Sequence, residues 1–480
     1  MSATRFPVRE RLERALARIA ERNPGCNALV YLAIDAARAR ADALDQALAD
    51  GARPGALCGW IVSVKESFPV AGWPCTWGVA DWADRCSTQT APAVEALIKA
   101  GAIIIGKSNV PERLRDWQTF NPVYGTTRNP WCPDRTPGGS SGGAAAALAA
   151  GLVDGELGTD VASSIRTPAH FCGVVGHKPS FGLVPLDGHA PSGPPTWTDL
   201  AVAGPLARHA RDADRLLRVV ARASVRDAPA WRVRLPPPRH GVDQLPAYRV
   251  AWLPELAGLP PAAAYRAAME RFVDWLREQD VAVETLLPSR FVDTTALEDA
   301  YLRILRAGEA DALDALGYAM LHRQLAELDP ADQRYAARVR RVAVQSHRDW
   351  RKARRWQLTL REQLRTLFER VDVLLMPVAM TAAFPIAEAL PRRERTLMID
   401  GREWDYSAPL VYAALASLGQ VPATAMPIGL QDADGMVLPV GMQVLSDYLQ
   451  DRTALAFAAA VESALPGGFP ALYADLSSAS

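Results

Sequence analysis

Ser140 and Ser164 stand 24 positions apart in two clusters of small residues, and these clusters hold the groups best suited to chemistry. The first is Gly138-Gly139-Ser140-Ser141-Gly142-Gly143; the second is Thr159-Asp160-Val161-Ala162-Ser163-Ser164. Gly, Ser and Ala at this density let backbone N–H groups come close to a ligand, because little side chain stands in the way. The alanine-rich run that follows Gly143 is a strong helix former, so the first cluster sits at a helix N-terminus. An anion or an electron-rich oxygen is favoured there.

A serine hydroxyl is a poor nucleophile until something takes its proton. Five of the 53 basic residues are lysines, Lys65, Lys99, Lys107, Lys178 and Lys352, and the rest are arginines. Part of that bias can come from genome composition. Only lysine loses its proton cheaply enough to act as a base, which leaves five candidates. Lys65 closes Ile61-Val62-Ser63-Val64, a short strand of the buried type. An amine in that place is either a snorkelling surface group or a buried functional one, and the pattern leaves both open. Deprotonating an ordinary lysine at pH 7 costs about 4.6 kcal/mol. A lysine base therefore has to be buried, where desolvation favours the neutral amine.

Gly138-Gly139-Ser140-Ser141-Gly142 also fits G-x-S-x-G, the strand-turn-helix elbow of another hydrolase class. That motif needs a strand directly before it, and the proline-rich 129–137 stretch cannot supply one. No Asp/His pair downstream has a compelling setting.

Composition bounds the remaining classes. The chain has 480 residues, 49% hydrophobic content and zero formal net charge, which suggests neither disorder nor a polyanion partner. No apolar run reaches the length of a membrane span. The charged N-terminus, with Arg5, Arg9, Glu10, Arg11, Glu13 and Arg14, lacks the apolar segment of a signal peptide, so a cytoplasmic location is expected. The 6 cysteines and 7 histidines are scattered without ligand spacing, which predicts reduced thiols and no metal.

Helices are expected over 6–50 with a break at Asn23-Pro24-Gly25, over 91–100, over 212–222 and around 265–278. Buried strands are expected at Ile103–Ile105, Tyr248–Leu253 and Val371–Pro377. Residues 182–208 read as a proline-rich loop, and Pro236-Pro237-Pro238 as a linker. From about 294 to 370 the pattern is almost wholly helical. Arg338, Arg340, Arg341, Arg348, Arg351, Arg354 and Arg355 lie there and read as a solvated face rather than a nucleic-acid patch, given the absence of net charge.

Together these motifs resemble the amidase signature family of serine hydrolases. The resemblance rests on Gly138 to Gly143, Gly158 to Ala169 and Cys172 to Pro179, on the Val64-Lys65-Glu66 segment, and on Gly106-Lys107-Ser108-Asn109 with Pro111-Glu112. It extends to Tyr124-Gly125 and Asn129-Pro130, then to C-terminal sheet motifs, and covers most of 8–280 and 370–460. It implies an α/β fold with a large mixed, twisted β-sheet surrounded by helices. One domain would span 1–480, with a divergent helical insertion over 290–370 forming the substrate-side wall. The implied chemistry is amide hydrolysis through an acyl-enzyme on Ser164. Ser140, on a cis peptide, would be the proton bridge and Lys65 the base. The N–H groups of Val161, Ala162, Ser163 and Ser164 would form the oxyanion hole.

Lys107 and Lys178 then become structural, holding loop carbonyls and bracing a turn. Asp160 and Arg166, in one tight segment, are expected to pair and support the loop. No cofactor or metal is implied. The expected partner is a small-molecule amide, with neither nucleic acid nor membrane, and the expected state is a monomer or homodimer. Hydrophobic aryl or alkyl amides, carbamates and esters are the favoured substrates, with Trp350, Trp356, Tyr301 and Leu302 as candidate pocket walls.

Two departures from the family pattern bear on this reading. Ala162-Ser163 replaces the usual Gly-Gly before the nucleophile, and a Cβ at a left-handed position there costs roughly 1–2 kcal/mol. Ser163 also offers a second hydroxyl. The alternative function is the glutaminase-type subunit of a tRNA-dependent amidotransferase. Pro111-Glu112, where that subunit usually has Asp-Glu, favours a stand-alone enzyme.

Overall fold

Short runs of aliphatic and β-branched residues, buried on both faces in the middle of the sheet and more exposed at its edges, assemble into one mixed sheet of 11 strands. The computed structural model describes residues 7–190, 199–307, 313–332, 335–433 and 435–469. In chain order the strands are β1 (Leu29–Leu32), β2 (Ile61–Lys65), β3 (Ile103–Ser108), β4 (Gly155–Asp160), β5 (Val175–Lys178) and β6 (Val202–Ala207). They continue with β7 (Arg249–Trp252), β8 (Ala282–Thr285), β9 (Val373–Pro377), β10 (Ala423–Ala433) and β11 (Met436–Leu445). Across the sheet they run β1-β3-β2-β4-β6-β5-β10-β11-β9-β7-β8. β2 is parallel to both neighbours, β3 and β4, so these three strands end at one edge. In open α/β sheets that carboxyl edge is where ligands bind.

Helices cover the sheet, several of them by an apolar stripe. Ala210–Val220 turns Ala210, Ala213, Leu216, Leu217 and Val220 inward. Gly142–Ala149, apolar on every side, is buried from Gly142 to Leu148. Gly143 has to be glycine, because an added Cβ would strike Asn109 N and Ala28 O. The large mixed sheet among helices is the architecture that the sequence implies.

Three local expectations need correction. The first helix runs through Pro24 to Cys26 and stops only at Asn27, which is left-handed. Pro24 lacks the N–H that would bond Ala20 O, and the helix ends two residues after it. Asn23 then turns the chain into β1: its Oδ1 accepts from Ala28 N at 3.0 Å and Leu29 N at 2.8 Å, and its Nδ2 donates to Leu29 O at 2.8 Å. The end of the proline-rich loop is the central strand β6. Pro205 stands opposite Leu157 of β4, and on its other side the ladder to β5 involves only Leu206 and Ala207. The third correction is to β3, which extends to Ser108 and so includes Lys107. Residues 191–198 of the expected loop lie outside the described residues, as does Arg5 at the N-terminus.

Among the described residues the 294–370 stretch is helical as expected, with Thr294–Arg306, Ala315–Ala326, Tyr335–Ala343 and His347–Arg370 as its longer helices. Asp293 caps the first by accepting from Thr295 N and Ala296 N, and Ser346 caps the last by accepting from Asp349 N. No helix among the described residues is long and apolar enough to cross a membrane.

Candidate active site

Lys65 ends β2 and is fully buried. Its Nζ lies 2.7 Å from Ser140 Oγ, 2.9 Å from Thr159 Oγ1 and 3.5 Å from Thr159 O. Burial lowers its pKa to about 7, against the opposing charges of Asp160 and Glu156. The Gly139–Ser140 peptide is cis. Thr119 Oγ1 donates to Gly138 O at 2.8 Å, and Thr136 Oγ1 accepts from Gly138 N at 3.1 Å, which fixes the turn. Ser141 ties this loop to the second cluster: its Oγ donates to Thr159 O at 3.3 Å and its N–H to Ser164 O at 3.1 Å. The structure thus brings Lys65, Ser140 and the Ser164 loop to one edge of the sheet.

The second loop is wound around Asp160. That carboxylate accepts from Ser163 N at 3.0 Å and Ile165 N at 3.1 Å, and from Arg166 Nε and Nη2, each at 3.0 Å. Burial opposes its ionisation, yet the charge and hydrogen bonds of Arg166 hold its carboxyl below the ordinary range. Arg166 also donates to Gln443 Oε1 at 2.9 Å and to Ser417 Oγ at 3.2 Å. The expected Asp160–Arg166 pair is present and fully buried.

Ser163 and Ser164 are placed differently. Ser163 has φ 72, the left-handed conformation in which its Cβ is unfavourable, and its hydroxyl is buried without a partner among the described residues. Ser164 is half-buried, and its hydroxyl has no hydrogen-bond partner within the described residues. Of the four expected oxyanion donors, Ser163 is the exception, because its N–H is consumed by Asp160. The N–H groups of Val161, Ala162 and Ser164 have no intramolecular acceptor among the described residues.

A family model described as Amidase matches residues 10–455. The chain is a hydrolase of the amidase signature family. A curated relative, a glutamyl-tRNA(Gln) amidotransferase subunit from Synechococcus sp. (strain RCC307), is 32% identical, over 95% of this chain and 94% of its own length. A crystallised amidase is 30% identical with TM-score 0.75, over 96% of this chain and 97% of that one. A bacterial aryl acylamidase of the amidase signature family is 27% identical with TM-score 0.78, over 96% and 94%.

In this amidase, other buried polar groups surround the edge. Lys107 Nζ donates to Phe68 O at 2.7 Å, to Glu66 O at 3.1 Å and to Pro74 O, the loop-bracing role expected of it. Lys178 Nζ donates to Pro179 O at 2.9 Å, and burial, aided by Arg166, lowers its pKa to about 7. Glu66 is a carboxylate acceptor for Trp77 N at 2.9 Å and Thr76 N. Glu156, on β4, is buried, and that burial raises its carboxyl to about 8.

Sequence reasoning did not single out Thr159 as a partner of Lys65, although it stands in the second cluster. Tyr301 and Leu302 are core residues, not pocket walls. Trp350 stacks on His347 under Arg354, and Trp356 lines a groove with Arg303 and Lys352. No group of three or more potential metal ligands occurs among the described residues.

Proposed function

We propose that this amidase hydrolyses amides of hydrophobic aryl or alkyl groups, with related carbamates and esters as further substrates, through an acyl-enzyme on Ser164. The observation that carries the reading is a fully buried lysine, its pKa lowered to about 7, 2.7 Å from Ser140 Oγ. Neutral Lys65 takes a proton from Ser140, which takes the proton of Ser164 as Ser164 Oγ bonds to the carbonyl carbon. The oxyanion that forms is received by the N–H groups left free on the loop, those of Val161, Ala162 and Ser164, a contribution that is usually large in acyl transfer. Ser140 then protonates the leaving nitrogen as the C–N bond breaks, and water releases the acyl group from Ser164.

The preference for hydrophobic substrates is supported by the charges beside the nucleophile. Asp160 and Arg166 are spent on each other, which leaves no fixed charge on the loop for a charged substrate. Similarity to an aryl acylamidase points the same way. The second reading, a glutaminase-type subunit of an amidotransferase, draws on the 32% identity to one. Measured kcat/KM for 4-nitroacetanilide, an alkyl amide, a phenyl carbamate, an ester and glutamine decides between them. The hydrophobic substrates are expected to exceed glutamine by tenfold or more, as about 1.5–3 kcal/mol per buried apolar group allows. A preference for glutamine establishes the second reading instead.

A further inference from the structure

Two hydroxyl groups from distant parts of the chain converge on one backbone atom of the nucleophile loop. Tyr301 Oη and Ser417 Oγ each lie 3.2 Å from Val161 O. A carbonyl oxygen only accepts, so both hydroxyls donate. For Ser417 this assignment is independently fixed, because Arg166 Nη2 donates to its Oγ at 3.2 Å and leaves its single proton for Val161. Burial raises the Tyr301 phenol well above its ordinary pKa, so it keeps its proton. Tyr301 comes from the helix Thr294–Arg306 and Ser417 from the helix Val411–Leu418.

The Val161–Ala162 peptide is planar and trans, so its C=O and N–H point in opposite directions. Holding the carbonyl against Tyr301 and Ser417 turns the Ala162 N–H away from them, and that N–H has no acceptor among the described residues. The neighbouring Ser163 N–H is held by Asp160. Val161, Ala162 and Ser164 are therefore the donors that this loop has left, and the orientation of the Ala162 N–H depends on the clamp.

We infer that Tyr301 and Ser417 are positioning residues of the oxyanion hole, acting through the Val161 carbonyl to aim the Ala162 N–H at the developing oxyanion. The inference rests on Ser164 being the nucleophile. It gives the 294–306 helix a role in the rate of the chemical step, distinct from lining a pocket.

The test uses the full chain with Tyr301→Phe, Ser417→Ala, the double variant and Ser164→Ala. Each is treated with an alkyl fluorophosphonate, from which Ser164 Oγ displaces fluoride as charge builds on the phosphoryl oxygen. Hydrolysis of 4-nitroacetanilide is measured in parallel, and thermal melting reports on the fold. Each single variant is expected to lose about tenfold in labelling rate and kcat, and the double about a hundredfold, with KM within about twofold. Full-rate labelling in the double variant overturns the inference. So does a rise in KM with kcat unchanged, or a loss of rate that follows a lowered melting temperature. Continued labelling of Ser164→Ala removes the nucleophile on which the inference rests, and separates that failure from failure of the clamp alone.

Discussion

Residues 61–182 and residues 288–370 handle charge in opposite ways. In the first region Lys65, Lys107, Asp160, Arg166 and Lys178 are all buried, and each has a named partner. In the second, charges sit on helix surfaces in i, i+3 and i, i+4 pairs such as Arg303–Asp299, Lys352–Asp349 and Arg365–Glu362. A buried charge is costly unless matched, so a change to any of these five reaches the chemistry or the fold. An exposed pair gains little in water and can be altered freely. The regions meet where Tyr301 donates to Val161 O.

The contrast can be broken by substitution. Lys65→Ala, Ser140→Ala and Ser164→Ala are each expected to lower kcat by at least about 10³-fold while circular dichroism and melting stay near wild type. Near-normal turnover in any of them removes that residue from the machinery. Asp160→Ala leaves Arg166 buried without its counter-charge and is expected to cost about 3–5 kcal/mol in urea unfolding. A loss below about 1 kcal/mol shows that the pair is replaceable by neighbours.

The pH dependence follows from Lys65. Its ammonium is lowered to about 7 by burial, so the neutral base is the minor form below that pH and the major form above it. kcat/KM for an uncharged amide should therefore rise about tenfold per pH unit below 7 and level off above it. A flat profile across this range contradicts a lysine base. Ser163→Gly removes a Cβ from a left-handed position, φ 72, and should raise stability by about 1 kcal/mol in the same urea assay. Lys352→Ala, at the exposed Asp349 pair, should change it by less than about 0.5 kcal/mol.

Much of the site was legible because it is written in residue types. Small residues crowd 138–143 and 159–164, lysine is scarce, and Lys65 closes a plain apolar strand. The Asp160–Arg166 pair was legible because both belong to one tight segment. Elements built from side-chain-to-backbone bonds were not. β1 depends on the Asn23 amide gathering the chain after the helix, and periodicity carries no trace of that. β6 was hidden by Pro205, whose missing N–H matters only if a partner strand faces it. Tyr301 and Ser417 reach Val161 O across 140 and 256 positions. Any tyrosine and serine at core positions read the same until the fold brings them together. The occupied Ser163 N–H was likewise invisible, since it depends on where the Asp160 carboxylate turns.

The proposed chemistry stands or falls on where the covalent bond forms. The wild-type protein is reacted with an alkyl fluorophosphonate, digested, and the modified peptide sequenced by mass spectrometry, with Lys65→Ala and Ser140→Ala treated alongside. A single adduct on Ser164 is expected in the wild type, with labelling at least about 10³-fold slower in both variants. An adduct on Ser163 or Ser140, or undiminished labelling of Ser164 without Lys65, contradicts the relay.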